Sequence, residues 1–273
     1  MEISVEDISF TYPGNVRALD QVSLRIGSGE RAAIIGQNGA GKTTLVKHFN
    51  GLLKPSAGRV SVGGWDTSRY SSARLAARVG YVFQNPDDQL FQSSVLAEVK
   101  FGPKKLGWDD NKVNKQVQAM LDLVELSEFA NRHPYDLSPG QRKRVAMASV
   151  LAMDTPIVIL DEPTTGQDQS GINLLGKIIA VLKKKGKTVI TITHDIDFCA
   201  ENFERVIVMA QGRVLLDGPA RNVLGQAEIL AQTYVEPPQL VRLANRLGIE
   251  ETPLNVNEFL TARYGFFDTD ASD

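Results

Sequence analysis

The chain has 273 residues, of which 42% are hydrophobic and 23% are charged, and its formal net charge is −2. This is the composition of a globular protein with room for one large domain and an additional lobe. The near-neutral charge argues against a nucleic-acid partner, and the single cysteine, Cys199, excludes an internal disulfide. No apolar run approaches the roughly 20 residues of a membrane-spanning helix, and the acidic start Met1–Asp7 is unlike a secretory signal. We therefore expect a protein that serves any membrane process from the cytoplasmic side, through partners.

The N-terminal part predicts a pair of antiparallel strands and then a phosphate-binding unit. Ile3–Tyr12 and Val22–Ile26 alternate apolar and polar residues, and a turn begins at Pro13-Gly14 between them. Arg31–Ile35 is a short, mostly apolar strand. It leads into Gly36–Thr44, whose sequence Gly-Gln-Asn-Gly-Ala-Gly-Lys-Thr-Thr matches the P-loop pattern and is followed by a predicted helix.

Each residue type in the P-loop suits a polyphosphate and its magnesium ion. Glycines let the backbone approach the phosphates and direct its N–H groups inward. Lys42 brings a positive charge to the β and γ phosphates, Thr43 offers a hydroxyl to Mg²⁺, and the helix that begins near Lys42 adds the positive end of its dipole. The candidate phosphate-binding residues are Gly36, Asn38, Gly39, Gly41, Lys42, Thr43 and Thr44.

Strands and helices alternate through the middle of the chain. Strands are predicted at Gly58–Gly64, Val79–Phe83, Pro156–Leu160 and Lys187–Thr193, and helices at Val95–Phe101, Asn111–Val124, Ser138–Met153 and Ser170–Lys185. The helices between about residues 86 and 153 form an insertion between strands. The pattern predicts an α/β fold, namely a P-loop NTPase core with a mainly parallel sheet, an antiparallel β subdomain and a helical insertion.

The C-terminal part predicts a hairpin and a helical tail. Arg205–Met209 and Arg213–Asp217 form the hairpin, and we place the end of the ATPase domain at residue 230, with an extension over residues 231–273. Leu240, Leu243 and Leu247 share one helical face, so we expect this tail to pack rather than to move freely. We expect Phe267–Asp273 to be frayed and solvated.

Two carboxylates follow the apolar strand Ile157–Leu160. In an open α/β sheet, ligands bind at the carboxyl ends of the strands, beside the P-loop. We expect Asp161 to hold Mg²⁺, directly or through water, and Glu162 to orient or deprotonate an attacking water. Two acids after a core strand would otherwise be ordinary surface residues, and it is the preceding P-loop that favours the catalytic interpretation.

Three single residues at strand ends are weaker candidates. Tyr12 could stack on adenine, although an ordinary strand aromatic fits the sequence nearly as well. Gln84 could bind Mg²⁺ and sense the γ phosphate, or it could simply open a loop. His194 could donate a hydrogen bond to the γ phosphate from the same sheet edge as Glu162, although a lone histidine after a strand is usually incidental.

The segment Leu137–Gln141, hereafter the signature segment, begins a predicted helix. Ser138 is a good N-cap, and Pro139 suits the first helical turn. The segment is thus either a capped helix start alone or a second phosphate site that uses the Ser138 hydroxyl and the Gly140 N–H.

These motifs, in this order, resemble those of the ATPase subunits of ABC transporters over roughly residues 1–225. The resemblance implies that two subunits enclose two ATP molecules, with the P-loop of one facing the signature segment of the other. It implies catalytic roles for Glu162, His194 and Gln84 and Mg²⁺ binding by Thr43, Gln84 and Asp161. The residues that it places at ATP or at the subunit interface, besides the P-loop, are Tyr12, Ser138, Gly140, Gln141 and Asp168.

A narrower resemblance lies outside these shared motifs. Phe83–Phe91, Phe101–Gly107 and Pro237–Gly248 are similar to the energy-coupling-factor branch, whose members import cobalt, nickel or vitamins. This implies three partners: a second ATPase subunit, identical or homologous, a transmembrane coupling subunit and a substrate-binding membrane subunit. It places the chain at the cytoplasmic face of the membrane as a peripheral, ATP-hydrolysing subunit of a micronutrient importer.

Two residues depart from the family pattern. Pro139 stands where the family usually has glycine, so one N–H is missing from a phosphate-facing turn, and we expect a weakened or asymmetric site. Gln167 replaces a more usual leucine. Two alternatives remain open at this point: a soluble ABC ATPase that is not linked to transport, and a regulatory subunit that does not hydrolyse ATP.

Overall fold

The structure is a computed structural model that describes residues 1–265, and it contains two β-sheets with helices packed around them. The expected fraying of Phe267–Asp273 therefore lies outside the described residues. The strands are β1 (Ile3–Tyr12), β2 (Val16–Ile26), β3 (Arg31–Ile35), β4 (Ala57–Val62), β5 (Trp65–Asp66), β6 (Val79–Val82), β7 (Ile157–Asp161), β8 (Thr188–Ile192), β9 (Arg205–Ala210) and β10 (Arg213–Pro219). The helices are α1 (Lys42–Phe49), α2 (Ser72–Leu75), α3 (Val95–Lys105), α4 (Asp110–Leu123), α5 (Pro139–Leu151), α6 (Gln169–Lys184), α7 (Ile196–Asn202), α8 (Ala220–Leu224), α9 (Ala227–Ala231), α10 (Gln239–Arg246) and α11 (Val256–Tyr264).

The central sheet has six strands in the order β10-β9-β3-β8-β7-β6. Strands β9, β3, β8, β7 and β6 run parallel, and β10 pairs antiparallel with β9 at the edge. Residues of β7 and β8 are buried along their whole length, as expected for strands that are covered on both faces. The parallel order brings the carboxyl ends of β3, β6, β7 and β8 to one edge of the sheet, and this edge positions the site.

The second sheet is antiparallel, with the order β2-β1-β4-β5. It packs on one face of the central sheet, where side chains such as Ile8, Leu24 and Ile190 belong to one buried cluster. Helices α3 to α9 contribute to a second buried cluster on the other face, whereas Leu45, Val46 and Phe49 of α1 belong to the first cluster. The sequence predicted this subdomain but missed β5, because two residues of strand after Gly63-Gly64 carry no periodic signal.

The helical insertion consists of α3, α4 and α5, as the sequence predicted. The first of these helices is longer than expected, because Pro103 does not end it and the helix continues to Lys105. The Pro103 ring is buried, and a Cβ on the neighbouring Gly102 would lie 2.5 Å from the Met153 side chain. Close packing in this region therefore supports the last turn of α3 despite the missing N–H.

The tail helix α10 packs through a different face from that of its leucines. Its buried residues are Val241 and Ala244, whereas Leu243 and Leu247 are 42% and 46% exposed. The tail therefore packs, as expected, but not through the face of the leucines. Within residues 1–265, no helix is both long and apolar enough to cross a membrane.

Candidate functional site

A cleft of about 290 Å³ opens at the carboxyl edge of the parallel sheet. We call it the P-loop cleft. It brings together most of the residues that the sequence singled out, although they come from four separate parts of the chain. Its lining includes Tyr12, Asn38, Gly39, Gly41, Lys42, Thr43, Thr44, Gln84 and Glu162.

The P-loop needs glycine at its two ends for steric reasons. Gly36 has φ of 141°, and a Cβ there would lie 2.1 Å from the carbonyl oxygen of Met209. Gly41, the residue before α1, has φ of 98°, and its Cβ would lie 2.5 Å from the carbonyl oxygen of Ala18. No side chain can replace either hydrogen without moving backbone, so these glycines fix the loop against β9 and β2.

Lys42 is the charged residue of the loop, and it is almost fully buried. Its Nζ donates hydrogen bonds to the carbonyl oxygens of Gly36 and Gln37, at 2.7 and 2.9 Å. Burial lowers the pKa of Lys42, and the negative charges of Glu162 and Asp161 oppose this shift. The ammonium group thus lies inside the loop, where it can offset the charge of a bound polyphosphate.

Asp161 is the last residue of β7, and only one of its two carboxylate oxygens has a hydrogen-bond partner among the described residues. Tyr81 on β6 donates a 2.5 Å hydrogen bond to Oδ2, whereas Oδ1 is buried with no partner among the described residues. Burial raises the pKa of Asp161, and hydrogen bonding from Tyr81, the charge of Lys47 and the Thr43 hydroxyl oppose this. A buried carboxylate oxygen without a partner, beside a hydroxyl, suits a hard cation such as Mg²⁺.

Thr43, Gln84 and Asp161 remain the predicted protein ligands of Mg²⁺. Residues 1–265 contain no group of three or more His, Cys, Asp or Glu side chains that could hold a metal ion. A Mg²⁺ ion bound with a nucleotide usually has only one or two carboxylate ligands, and phosphate oxygens and waters supply the others.

Glu162 points from the end of β7 towards His194, which follows β8. His194 Nδ1 lies 2.8 Å from Glu162 Oε2, and the His194 backbone N–H donates to the same oxygen at 3.4 Å. Burial raises the pKa of Glu162, and the interaction with His194 opposes the shift. Glu162 also has φ of 49°, a left-handed backbone that is uncommon for a residue with a side chain. Strain of this kind is often found at functional sites.

Tyr12 and Gln84 both line the P-loop cleft. The Tyr12 hydroxyl lies 3.2 Å from the Thr44 hydroxyl, and its ring packs edge-on against Phe10. Gln84 follows β6, and the loop beyond it is fixed by Gln89, which accepts a hydrogen bond from the Phe83 N–H. Both residues are thus placed where the sequence predicted, at the cleft that holds the P-loop.

The signature segment and Asp168 lie outside the P-loop cleft. Ser138 and Gln141 form a reciprocal capping box at the start of α5, and Pro139 occupies the first helical position with Gly140 after it. Asp168 caps α6, with its carboxylate accepting a 2.8 Å hydrogen bond from the Gly171 N–H. The structure thus shows the helix-capping function that the sequence suggested for Ser138, and it shows a cap at Asp168, whereas any role of either residue towards a second subunit remains a prediction.

Two buried polar residues near the site were missed from the sequence. Tyr81 lies within an apolar strand, and its contact with Asp161 depends on the pairing of β6 with β7. Lys143 lies in α5 with 4% exposure, and its Nζ reaches the backbone around Glu162. The only signal for Lys143 was a charged residue one turn into a helix that buries its neighbours Val145 and Ala146.

The comparisons with known proteins agree with this geometry. The family model described as "ABC transporter" matches residues 19–165. An energy-coupling factor transporter ATP-binding protein, EcfA, of Methanothermobacter thermautotrophicus is 40% identical over 90% of this chain and 79% of its own length. CbiO1 of Clostridium perfringens, a part of the ABC transporter complex CbiONQ, is 36% identical and superimposes with a TM-score of 0.76 over 90% of this chain and 98% of that one.

The first curated relatives are longer proteins. A putative ABC transporter ATP-binding protein of Methanosarcina acetivorans is 44% identical over 96% of this chain, but the match covers only 44% of its length. The chain spans less than half the length of these first relatives. The matched family, the shared fold and the converging motifs nevertheless agree, and they show that the chain belongs to the ATPases of ABC transporters, in the energy-coupling-factor branch.

Proposed function

We propose that the chain binds ATP with Mg²⁺ in the P-loop cleft, hydrolyses it in a pair with a second cassette, and so powers a membrane importer of a micronutrient, either a vitamin or a transition-metal ion. The observation that carries this proposal is Glu162, which lines the cleft together with Lys42 and is held by His194. A carboxylate at this point is the group that hydrolysis needs and that mere nucleotide binding does not.

The residues divide the work of hydrolysis among them. The P-loop N–H groups and Lys42 bind the β and γ phosphates, and Tyr12 stacks on the adenine. Mg²⁺, when it is bound through Thr43, Gln84 and Asp161, neutralises charge on the phosphates. Glu162 orients a water and accepts its proton, and burial makes it a stronger base because it raises the carboxylate pKa. His194 holds the Glu162 carboxylate, and we expect its side chain to donate a hydrogen bond to the γ phosphate.

The signature segment supports action in pairs. Ser138, Gly140 and Gln141 lie outside the P-loop cleft of their own chain, at the exposed start of α5. A phosphate site built there would therefore serve the nucleotide of another cassette, with Asp168 at the interface. Cassettes of this family act as dimers, and the proposed partner is an identical or homologous ATPase.

Coupling to transport follows from the branch of the family. Relatives are named energy-coupling factor transporter ATP-binding proteins, and CbiO1 is part of a transporter complex. We therefore propose a transmembrane coupling subunit and a substrate-binding membrane subunit as partners, with this chain as a peripheral subunit on the cytoplasmic face. The formal net charge of −2 supports no nucleic-acid partner.

The test of hydrolysis is Glu162→Gln, which keeps the size of the side chain and removes the base. We expect it to bind Mg-ATP and to turn over at least roughly 100-fold more slowly than wild type, which is the scale for losing a general base. It should also accumulate as an ATP-bound dimer in size-exclusion chromatography. Turnover close to that of wild type would remove Glu162 from the reaction, and a wild-type chain without turnover would favour a regulatory subunit.

Coupling to transport needs a separate experiment. The tagged chain is purified from its native membrane in mild detergent, and the proteins that accompany it are identified by mass spectrometry. A polytopic membrane protein and a second cassette are the expected companions. A soluble complex without a membrane protein would favour an ABC ATPase that is not linked to transport.

A further inference from the structure

Lys143 is a buried lysine that the mechanism above does not use. It lies one turn into α5 with 4% of its surface exposed. Its Nζ donates hydrogen bonds to the carbonyl oxygens of Glu162 and Thr165, at 2.5 and 2.9 Å. Lys143 does not line the P-loop cleft, and the hydrogen bonds that it makes to the segment of Glu162 are to backbone carbonyl oxygens.

The burial of this ammonium group is energetically expensive. Burial lowers the pKa of Lys143 to about 8, while the charges of Glu162 and Asp161 favour the protonated form. A charged group of this kind is stable inside a protein only where polar partners replace its water. Here the partners are two backbone carbonyls, so the position of the lysine and the path of the backbone depend on each other.

One of the two carbonyls belongs to a strained residue. Glu162 has a left-handed backbone, with φ of 49°, which is an unfavourable conformation for a residue with a Cβ. Its N–H is held by the carbonyl of Ile192 on β8, at 2.8 Å. Lys143 holds the other side of the same residue. The direction of the Glu162 side chain is therefore fixed from β8 and from α5 together.

The helix that carries Lys143 also carries the signature segment. Lys143 lies only five residues after Ser138. The loop that it contacts runs on to Gln167, whose side-chain amide would lie 3.7 Å from a Cβ on Gly140. The start of α5 and the loop 162–168 thus touch at two points, one at Lys143 and one at Gln167.

We propose that Lys143 is a positioning residue that ties the helix of the signature segment to the backbone of Glu162, so that a displacement of α5 changes the direction of the catalytic carboxylate. Lys143 touches neither nucleotide nor attacking water and acts through Glu162. In a pair of cassettes, α5 faces the nucleotide of the partner's site while Glu162 serves the chain's own site. The hydrogen bonds of Lys143 therefore connect the helix that faces the partner's site with the residue that serves the chain's own site. This inference rests on the proposed function of ATP hydrolysis and assigns it a further residue.

The test compares Lys143→Met, which keeps the length and removes the donors, with Lys143→Gln, which keeps a donor on a shorter side chain. Both are made in the wild-type chain and in Glu162→Gln. Measurements are the affinity for a fluorescent ATP analogue with Mg²⁺, single-turnover hydrolysis in the proposed pair, and amide hydrogen exchange of segment 162–168. The matched control is Arg144→Met, because Arg144 also donates to a backbone carbonyl, that of Val124, but on the side of α4.

In the wild-type background, we expect Lys143→Met to lower hydrolysis by about 10- to 100-fold, the scale for a misplaced catalytic group, and to leave nucleotide affinity within about threefold. In Glu162→Gln the same substitution should cost less than about twofold, because a residue that acts through Glu162 loses its effect with the base. Exchange of segment 162–168 should accelerate. Lys143→Gln should lie between wild type and Lys143→Met, and Arg144→Met should leave both hydrolysis and exchange of this segment near wild type.

Equal losses of hydrolysis in the two backgrounds, or unchanged exchange of segment 162–168, would overturn the proposal and leave Lys143 as an ordinary buried cation. If Lys143→Met does not fold, Lys143→Gln decides by the same two criteria. A wild-type chain without turnover would refute the proposed function. Hydrogen exchange would then still decide whether Lys143 holds the loop, since that measurement needs no hydrolysis.

Discussion

At the scale of single residues, the carboxylates of Asp161 and Glu162 are poorly solvated. Burial raises the pKa of both Asp161 and Glu162, and the partners nearby only partly oppose this. Mg²⁺ binding and proton transfer require the ionised carboxylates. Burial in the folded chain disfavours these ionised forms. Residues of this kind commonly lower stability in exchange for function.

This yields a prediction for the stability of the chain without nucleotide. Because the folded-state pKa of Glu162 is raised above its ordinary 4.5, the folded chain binds this proton more tightly than the unfolded chain does. The contribution of Glu162 to the free energy of unfolding therefore falls as pH rises from below 4.5 through the raised pKa. Glu162→Gln lacks this contribution. We expect its Tm to exceed that of wild type at pH 7 and the difference to shrink towards pH 4.

Calorimetry of both chains across this pH range, with Glu228→Gln as the control, measures the difference. Glu228 is an exposed carboxylate on α9, and its substitution should change Tm little at any pH. A Glu162→Gln chain that is less stable than wild type at pH 7, or a difference that does not vary with pH, would contradict the prediction.

Single residues also show how far a sequence can be interpreted. Lys42, Asp161 and Glu162 were predicted together because each follows a recognisable strand and the parallel sheet brings strand ends to one edge. Tyr81 and Lys143 could not be predicted, since their contacts join residues 80 and 19 positions apart whose distance depends on helix and strand packing. The spacing of residues within a motif can be read directly from the sequence. Contacts between distant segments depend on how those segments pack, which the sequence does not show directly.

At the scale of elements, the first turn of α5 has to meet two requirements, namely helix capping and phosphate binding. The capping box of Ser138 and Gln141 stabilises the first turn, and Pro139 has no N–H to leave unsatisfied at the first helical position. The same turn would have to present its N–H groups to a phosphate of the partner's site. Proline favours the first requirement and weakens the second, because it removes one donor.

Pro139→Gly should therefore raise ATP turnover of the assembled pair and slightly lower Tm. The gain comes from the restored N–H, and the loss, up to about 1 kcal/mol, comes from the greater conformational freedom of glycine in the unfolded chain. Turnover is measured for wild type and variant, each alone and each mixed with any ATPase that copurifies. Equal turnover in every combination would show that Pro139 is only a tolerated helix-start residue.

The tail helix α10 illustrates a limit of periodicity at this scale. Leu240, Leu243 and Leu247 share a helical face, but the face of Val241 and Ala244, rotated by about one residue, is the buried one. Both spacings satisfy a helical period. Ala244 has a small side chain and permits close approach to the domain, and such fit between surfaces is not encoded in the spacing of apolar residues.

At the scale of the whole molecule, the sequence predicted the layers because each has its own pattern. Alternation predicted the antiparallel sheet, and buried runs separated by helices predicted the parallel one. The strand order β10-β9-β3-β8-β7-β6 could not be predicted in the same way, since any order of parallel strands fits the same runs. The placement of β3 between β8 and β9 makes the P-loop central, next to His194 and close to Glu162.

The boundary between the ATPase domain and its extension, which we placed at residue 230, yields the last prediction. Beyond it, Thr233, Val241 and Ala244 are buried, whereas α11 has no buried residue. The distal part is joined to the domain by the packing of Pro253 and Leu254 and by polar contacts, among them the ion pair of Arg221 with Glu258 at 2.9 Å. Exposed ion pairs of this kind contribute about 0–1 kcal/mol each. A chain that ends at Gly248 loses these contacts but keeps the burial of Val241 and Ala244, so its Tm should fall less than that of a chain without α10.

A chain that ends at residue 230 should melt several degrees lower. It loses the burial of Val241 and Ala244, roughly 2–3 kcal/mol in all, and 1 kcal/mol shifts Tm by about 2–4 °C in a domain of this size. Neither truncation removes a residue that lines the P-loop cleft, so both chains should bind Mg-ATP as the full chain does. Thermal melts and nucleotide titrations of the three chains make the comparison. Equal melting of the two truncated chains would place the boundary of the folded domain before residue 231, and a loss of ATP affinity in either would show that the extension supports the cleft.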